Sequence, residues 1–365
     1  MLDNFAFIIH PLDPKRDVQR KFPFLGKVLP VPAINFLSRF FPPLYISHIT
    51  GVKSQTTGKE VEGWFFACPF TPQRMVTLPP KMVYRKVIAT VRKAERQGAQ
   101  LVGLGAYTSV VGDGGLTVSR NVNVPVTTGD SYTVASAVEA IKKAAEVMEI
   151  DLADATLAVV GATGAIGAVA SELLAEDVSN IVLIGKRFER LAEVKARCEA
   201  VGAEVQVTSE LNVLPQADIV LTVTSAVEAV IRPEHLKPGA VVCDVARPRD
   251  VSKAVAERRN DVLVIEGGLV EVPGPVDFHF DFGFPPKTSY ACMAETIALA
   301  LEGRYKTYSL GKELNVPQVK EIDGIARRHG FKLAGFRSFE RAVTLEEIEQ
   351  IRFNARRVRA PQFAL

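Results

Sequence analysis

Two stretches of the chain carry residue types and spacings that can do chemistry. Gly161-Ala162-Thr163-Gly164-Ala165-Ile166-Gly167 follows the apolar run Leu157 to Val160 and opens a helix-forming segment, Ala165 to Ala175. In a turn between strand and helix, the first glycine permits the tight bend. The second lets backbone approach a pyrophosphate, and the third lets the helix lie close to the strand, while the helix start directs N–H groups at the phosphates. The spacing is GxxGxxG rather than GxGxxG, so its weight comes from the strand before, the helix after and the further strand patterns. The turn is read as a dinucleotide-binding loop, with Gly161, Thr163, Gly164, Ala165, Ile166 and Gly167 against the cofactor. A purely structural glycine turn is the competing reading.

About 20 residues beyond such a turn, an NAD site places an acid on the adenosine ribose. Here the chain has Ile184-Gly185-Lys186-Arg187, with Arg190 one turn later. Lys186 and Arg187 suit a 2′-phosphate, which favours NADP(H) over NAD(H). Val223, Thr224 and Ser225 follow a later strand pattern. Carboxyl ends of strands face the ligand crevice in such sheets, so these three are also expected at the cofactor.

The second stretch is Ser289-Tyr290-Ala291-Cys292-Met293-Ala294-Glu295, at the start of a helical run reaching Leu301. A thiol in a first helical turn has its thiolate favoured by the dipole, which makes Cys292 a candidate nucleophile. The alternative is a small buried hydrophobe. Cys68, Cys198 and Cys243 read as structural, and no CxxC pair is present, which fits reduced thiols without a disulfide framework or a metal site.

From Thr156 the pattern alternates strands and helices, the mark of a parallel sheet. Strands are expected at Leu157 to Val160, Ile181 to Ile184, Glu204 to Val207, Ile219 to Val223, Ala240 to Asp244 and Val262 to Ile265. Helices are expected at Lys81 to Gln97, Tyr132 to Met148, Ala165 to Ala175 and Arg187 to Val201. The predicted fold class is α/β: a Rossmann-like, doubly wound parallel sheet over residues 131–285. An N-terminal α/β substrate domain (1–130) precedes it, and a helical C-terminal region (286–365) with the cysteine follows.

Asp3 to Tyr45 reads as an irregular arm, because seven prolines exclude a long helix. Its aromatic residues, among them Phe24, Phe36, Phe40 and Phe41, are expected to pack on the domain; a membrane-surface or acyl-chain contact is the sharper reading. The helix at 81–97 carries Lys81, Arg85, Lys86, Arg92, Lys93 and Arg96 against Glu95, and a basic tail holds Arg352, Arg356, Arg357 and Arg359. A net charge of +3 argues against nucleic acid. With no secretory signal and no apolar run long enough for a bilayer, a cytoplasmic location is expected.

Taken with Gly103-Leu104-Gly105-Ala106-Tyr107-Thr108-Ser109, Thr127-Thr128-Gly129, Leu214-Pro215-Gln216-Ala217-Asp218, Glu266-Gly267-Gly268-Leu269-Val270-Glu271 and Leu301-Glu302-Gly303, these stretches resemble the cyanobacterial-type long-chain fatty acyl-ACP reductases from about Ser47 to Gly330. The resemblance implies NADPH-dependent reduction of a fatty acyl thioester, on ACP or CoA, to an aldehyde through an acyl-enzyme at Cys292. It places the cofactor on the glycine turn, Lys186, Val223 and Ser225, and adds Ser131 from a matching stretch. Lys287, Tyr290 and His279 are candidates for the proton donor on chain position. An acidic acyl carrier protein is the partner expected at the basic helix or the tail. Asp244-Val245-Ala246-Arg247-Pro248 departs from the family's Gly-Gly-Tyr-Pro. The alternatives are an amino-acid or shikimate-type dehydrogenase, in which Asp130 handles the proton, and a non-catalytic NADP-sensing module.

Overall fold

β1 (Asp3–Ile9) corrects the reading of the N-terminal arm: it is the middle strand of a five-stranded sheet ordered β2-β3-β1-β4-β5. Its partners are β3 (Glu60–Ala67) and β4 (Val102–Leu104), both parallel to it. β2 (Leu44–Lys53) pairs antiparallel with β3, and β5 (Val126–Thr127) closes the other edge. A strand covered on both faces shows no alternation of polar and apolar residues. Phe5, Ala6, Phe7 and Ile8 are all buried. The computed structural model that carries these features describes residues 2–281 and 283–359.

The strands' two-residue period sends neighbours to opposite faces. Ala6, Ile8, Val102 and Leu104 form a core with Val83, Val87, Val91 and Ala94 of α5 (Pro80–Arg96). On the other face a Cβ at Gly103 would lie 2.1 Å from Thr296 Oγ1 and 2.4 Å from the Phe7 ring. Gly103 therefore lets α12 (Ala291–Leu301) lie directly on the sheet. No long helix forms in the arm, but it is not irregular: its prolines start short helices, since proline's fixed φ suits the first turn. These are α1 (Pro14–Lys21), α2 (Pro23–Val28) and α3 (Val31–Ser38). α4 (Pro72–Thr77), α6 (Tyr107–Val110), α7 (Leu116–Ser119) and α13 (Val316–His329) complete the helices of this unit, which comprises residues through Tyr132 together with Val270–Lys332.

The second unit, Thr133–Leu269 with Leu333–Leu365, holds an all-parallel sheet. Its strands are β6 (Thr156–Val160), β7 (Asn180–Ile184), β8 (Glu204–Thr208), β9 (Ile219–Thr222), β10 (Val241–Asp244) and β11 (Leu263–Glu266). The order β11-β10-β9-β6-β7-β8 reverses direction between β6 and β9, the arrangement of a doubly wound dinucleotide-binding sheet. Most of α8 (Asp130–Val147) belongs here, with α9 (Ala165–Leu174), α10 (Phe188–Glu199) and α11 (Lys253–Arg258). The chain is thus an α/β protein.

Short strands β12 (Leu269–Glu271), β13 (Thr288–Tyr290) and β14 (Lys332–Leu333) punctuate the later chain. The C-terminal stretch from residue 286 is divided between the units: α12 and α13 belong to the first. The hairpin β15 (Arg337–Ser338) and β16 (Arg341–Ala342), followed by α14 (Leu345–Arg359), belongs to the second.

Candidate active site

In the second unit, the glycine turn sits at the end of β6, beside the reversal of strand order. Gly161 has φ +89°, and a Cβ there would lie 2.5 Å from the Val223 carbonyl oxygen. No other residue fits that combination of conformation and contact. A Cβ at Gly167 would meet the Gly161 oxygen at the same 2.5 Å, so the start of α9 lies tight on the turn. The N–H groups of Gly161 and Ala162 donate to Ile184 O at 3.0 and 3.2 Å, which ties the turn to β7. Gly164 is the N-cap of α9 and no side chain caps the helix, so its first-turn N–H groups head toward the turn's mouth. This cradle fits a pyrophosphate.

Lys186 and Arg187 are exposed at the end of β7. Arg187 Nη2 donates to Thr163 O at 2.6 Å, so this cation also braces the turn. Val223 lines the turn through its carbonyl, and Thr224 is held by the buried Asp250. Asp250 accepts from Thr224 N at 2.9 Å, Thr224 Oγ1 at 2.5 Å and Thr222 Oγ1 at 2.6 Å. Asp250 escaped the sequence reading, because nothing local links it to a threonine pair so far upstream. Ser131, also expected at the cofactor, belongs to the first unit. It is fully buried there, and Ser309 Oγ donates to its hydroxyl at 2.7 Å.

In the first unit, Cys292 lies in the first turn of α12, which has no side-chain cap. It is half-buried, whereas Cys68, Cys198 and Cys243 are fully buried. Gly129 (φ +77°) backs directly onto it: a Cβ there would lie 2.2 Å from Cys292 Cα and 2.4 Å from its Cβ. That contact sets the first residue of α8, Asp130, beside the start of α12. Glu295, one turn after the cysteine and fully buried, locks the two helix starts together. It accepts from Thr127 Oγ1 at 2.5 Å and from Tyr132 N at 2.9 Å. Thr128 Oγ1 donates to the Ser309 carbonyl.

This environment reverses the expectation for the thiol. Burial and the Asp130 charge push the Cys292 thiol up to about 12, with Glu295 adding to them. The Cys292 and Met293 N–H groups oppose the rise and do not overcome it. A helix dipole is a fraction of a charge, and a nearby carboxylate in a dry site outweighs it. Asp130 is itself raised to about 7, by burial and by Glu295, against the Thr128 hydrogen bond. Near neutral pH the thiol therefore holds its own proton, while the Asp130 carboxyl beside it titrates close to that range. His279 Nδ1 lies 2.9 Å from His48 O, Tyr290 packs edge-on against Phe284 at 4.6 Å, and Lys287 is exposed.

The basic features divide. On α5, Lys86 donates to the Arg39 and Phe41 carbonyls, Lys93 to Pro43 O and Arg92 to Asn121 O, while Lys81, Arg85 and Arg96 are exposed. In the tail, Arg352 and Arg356 pair with Glu149, Arg359 donates to Pro238 O, and Arg357 lies over the Phe353 ring. The tail cations thus serve their own unit. Among the described residues no cluster of metal-ligating side chains occurs, and no helix is long and apolar enough to cross a membrane.

Residues 142–266 match the family described as shikimate / quinate 5-dehydrogenase. Over 306 residues the chain is 28% identical to the long-chain acyl-[acyl-carrier-protein] reductase of Synechococcus elongatus, covering 80% of this chain and 87% of that one. Over 300 residues it is 30% identical to aminotransferase PigE of Serratia, covering 81% of this chain but 35% of PigE, so it spans about a third of that protein. The solved L-tryptophan dehydrogenase from Nostoc punctiforme shares 12% identity at a TM-score of 0.36, over 97% of this chain and 88% of that one. The chain is related to reductases and dehydrogenases with a Rossmann-like domain.

Proposed function

We propose that the protein reduces a long-chain fatty acyl thioester, carried on ACP or CoA, to the aldehyde through an acyl-enzyme at Cys292. The observation that carries this reading is the half-buried thiol at an uncapped helix start, backed by Gly129 and faced by a carboxyl that titrates near neutrality. The sequence relationship to an acyl-ACP reductase over 80% of the chain supports it.

As Cys292 Sγ attacks the thioester carbon, its proton passes to the Asp130 carboxylate, so no free thiolate is required. Collapse of the tetrahedral adduct expels the carrier sulfur, which leaves as a thiol with the proton returned by Asp130, and the acyl group stays on Cys292. The N–H groups of the first turn of α12 are the donors for the oxyanion. NADPH, when bound, supplies the hydride that reduces the acyl carbon. The glycine turn holds its pyrophosphate, with Ala165 and Ile166 at the helix start and Val223, Thr224 and Ser225 along the neighbouring strand end. Lys186 and Arg187 bind the 2′-phosphate. An acidic carrier protein docks on the exposed cations of α5.

A shikimate-type dehydrogenase is the second reading, favoured by the match over residues 142–266 and by the raised Asp130. That match falls within the second unit and leaves the Cys292 segment outside it. Incubation with palmitoyl-CoA or palmitoyl-ACP without NADPH, followed by peptide mass analysis, separates the two. Acylation of Cys292, lost in Cys292→Ser while NADPH still binds, supports the reductase. An unmodified thiol and undiminished activity of Cys292→Ser would remove the covalent mechanism.

A further inference from the structure

The N-terminal arm is firmly anchored, yet it turns its large apolar side chains outward. Ile34 and Ser38 are buried, and Asn35 exchanges hydrogen bonds with Gln73 at 3.0 Å and Thr71 at 2.7 Å. Lys21 Nζ donates to Ile46 O at 2.8 Å, and Lys86 and Lys93 hold the carbonyls of Arg39, Phe41 and Pro43. Within the arm α1 and α2 cross so closely that a Cβ at Gly26 would lie 2.4 Å from the Gln19 backbone. Against that fixed inner side, Phe24 is 76% exposed, Phe36 61%, Phe40 66% and Val28 59%. Phe36 and Phe40 pack edge-on at 5.6 Å. Core-forming residues held on the outside of an anchored element mark a contact surface.

The charge around this patch chooses the partner. Residues 14–45 contain Lys15, Arg16, Arg20, Lys21, Lys27 and Arg39 against the single acid Asp17. Asp17 is consumed locally by the N–H groups of Leu12 and Asp13 and by Arg20 at 3.0 Å. Phenylalanines among cations on short surface helices match an anionic bilayer: rings enter the acyl boundary, and Lys and Arg stay with the lipid phosphates. A second copy of the arm would bring six like charges against six.

We infer that the arm from α1 to Phe40, just beyond α3, is a docking surface for anionic membrane, seating the protein through Phe24, Phe36 and Phe40. The full-length chain should co-sediment with vesicles of equal phosphatidylcholine and phosphatidylglycerol, and much less with phosphatidylcholine alone. High salt should weaken the binding, because screening removes the headgroup attraction. Phe24→Asp, Phe36→Asp and Phe40→Asp together should lower partitioning by at least about a hundredfold. These side chains are exposed, so circular dichroism and NADPH binding should be unchanged. Failure to bind either vesicle, or binding that survives the triple substitution, would overturn the inference. So would a dimer on size-exclusion chromatography that the same substitutions dissolve without any vesicle binding, since the patch would then join two copies.

Discussion

Gly129 and Cys292 stand backbone to backbone: a single methyl added at Gly129 would lie 2.2 Å from Cys292 Cα. Two helices, α8 and α12, therefore begin at one point, and everything that tunes the thiol follows from that contact. Asp130 is next in chain on one side, and Glu295 is one turn along on the other. Both carboxyls reach the cysteine's surroundings only because glycine leaves the room.

Gly129→Ala should accordingly be costly. The substitution combines a left-handed φ of +77° with a collision against main-chain atoms that cannot rotate away. Destabilisation of about 2–4 kcal/mol is expected from these two effects together. Denaturant titration measures it, and a change below about 0.5 kcal/mol would show that the helix starts are not so closely packed.

Asp130→Asn should move the thiol and the chemistry in opposite directions. Above about 7 Asp130 is charged and opposes the Cys292 thiolate, so its neutralisation lowers the thiol from its value of about 12. Each unit of that fall raises iodoacetamide labelling about tenfold at mildly alkaline pH. Below about 7 the wild-type carboxyl is already neutral, and the two rates should converge. Acyl transfer should meanwhile slow, having lost its proton acceptor. Identical labelling profiles at every pH would place Asp130 outside the thiol's field.

Lys186→Ala and Arg187→Ala should differ from one another. Lys186 is exposed at the end of β7, and its loss should weaken NADPH about ten- to a hundredfold and leave NADH nearly unchanged. Arg187 also braces Thr163 O at 2.6 Å, so its loss should weaken both cofactors. Fluorescence titration with each nucleotide tests this. Equal losses for NADPH and NADH in Lys186→Ala would exclude the phosphate role.

Neutralising Arg85 and Arg96 should raise KM for acyl-ACP at low salt, leaving kcat and the KM for acyl-CoA almost unchanged. Electrostatic steering acts on encounter and fades as salt screens it. Shortening the tail before Arg352 should spare carrier recognition, because Arg352 and Arg356 are committed to Glu149. It should lower stability instead. Kinetics with the two carriers at two salt concentrations decide the matter.

From β6 to β11 every strand, with α9 and α10, could be read from the sequence within a residue or two at each end, while the short α11 was not. The code there is local: an apolar run for each buried strand, a 3.6-residue period for each helix, and glycines where the turn admits no side chain. Gly161 could be read for the same reason, since the conformation it must adopt is written in its own residue type. β1 could not be assigned this way. Its burial depends on β3 and β4, which arrive from far along the chain, and an isolated run such as Phe5 to Ile9 carries no period of its own. Cys292 was visible as a thiol at a helix start, but its protonation was not. A dipole belongs to the helix and can be inferred from sequence. The opposing terms, burial and the Asp130 charge, were set only when tertiary packing laid Gly129 on Cys292 and brought one helix start against another. Charge falls off with distance through space and takes no account of distance along the chain.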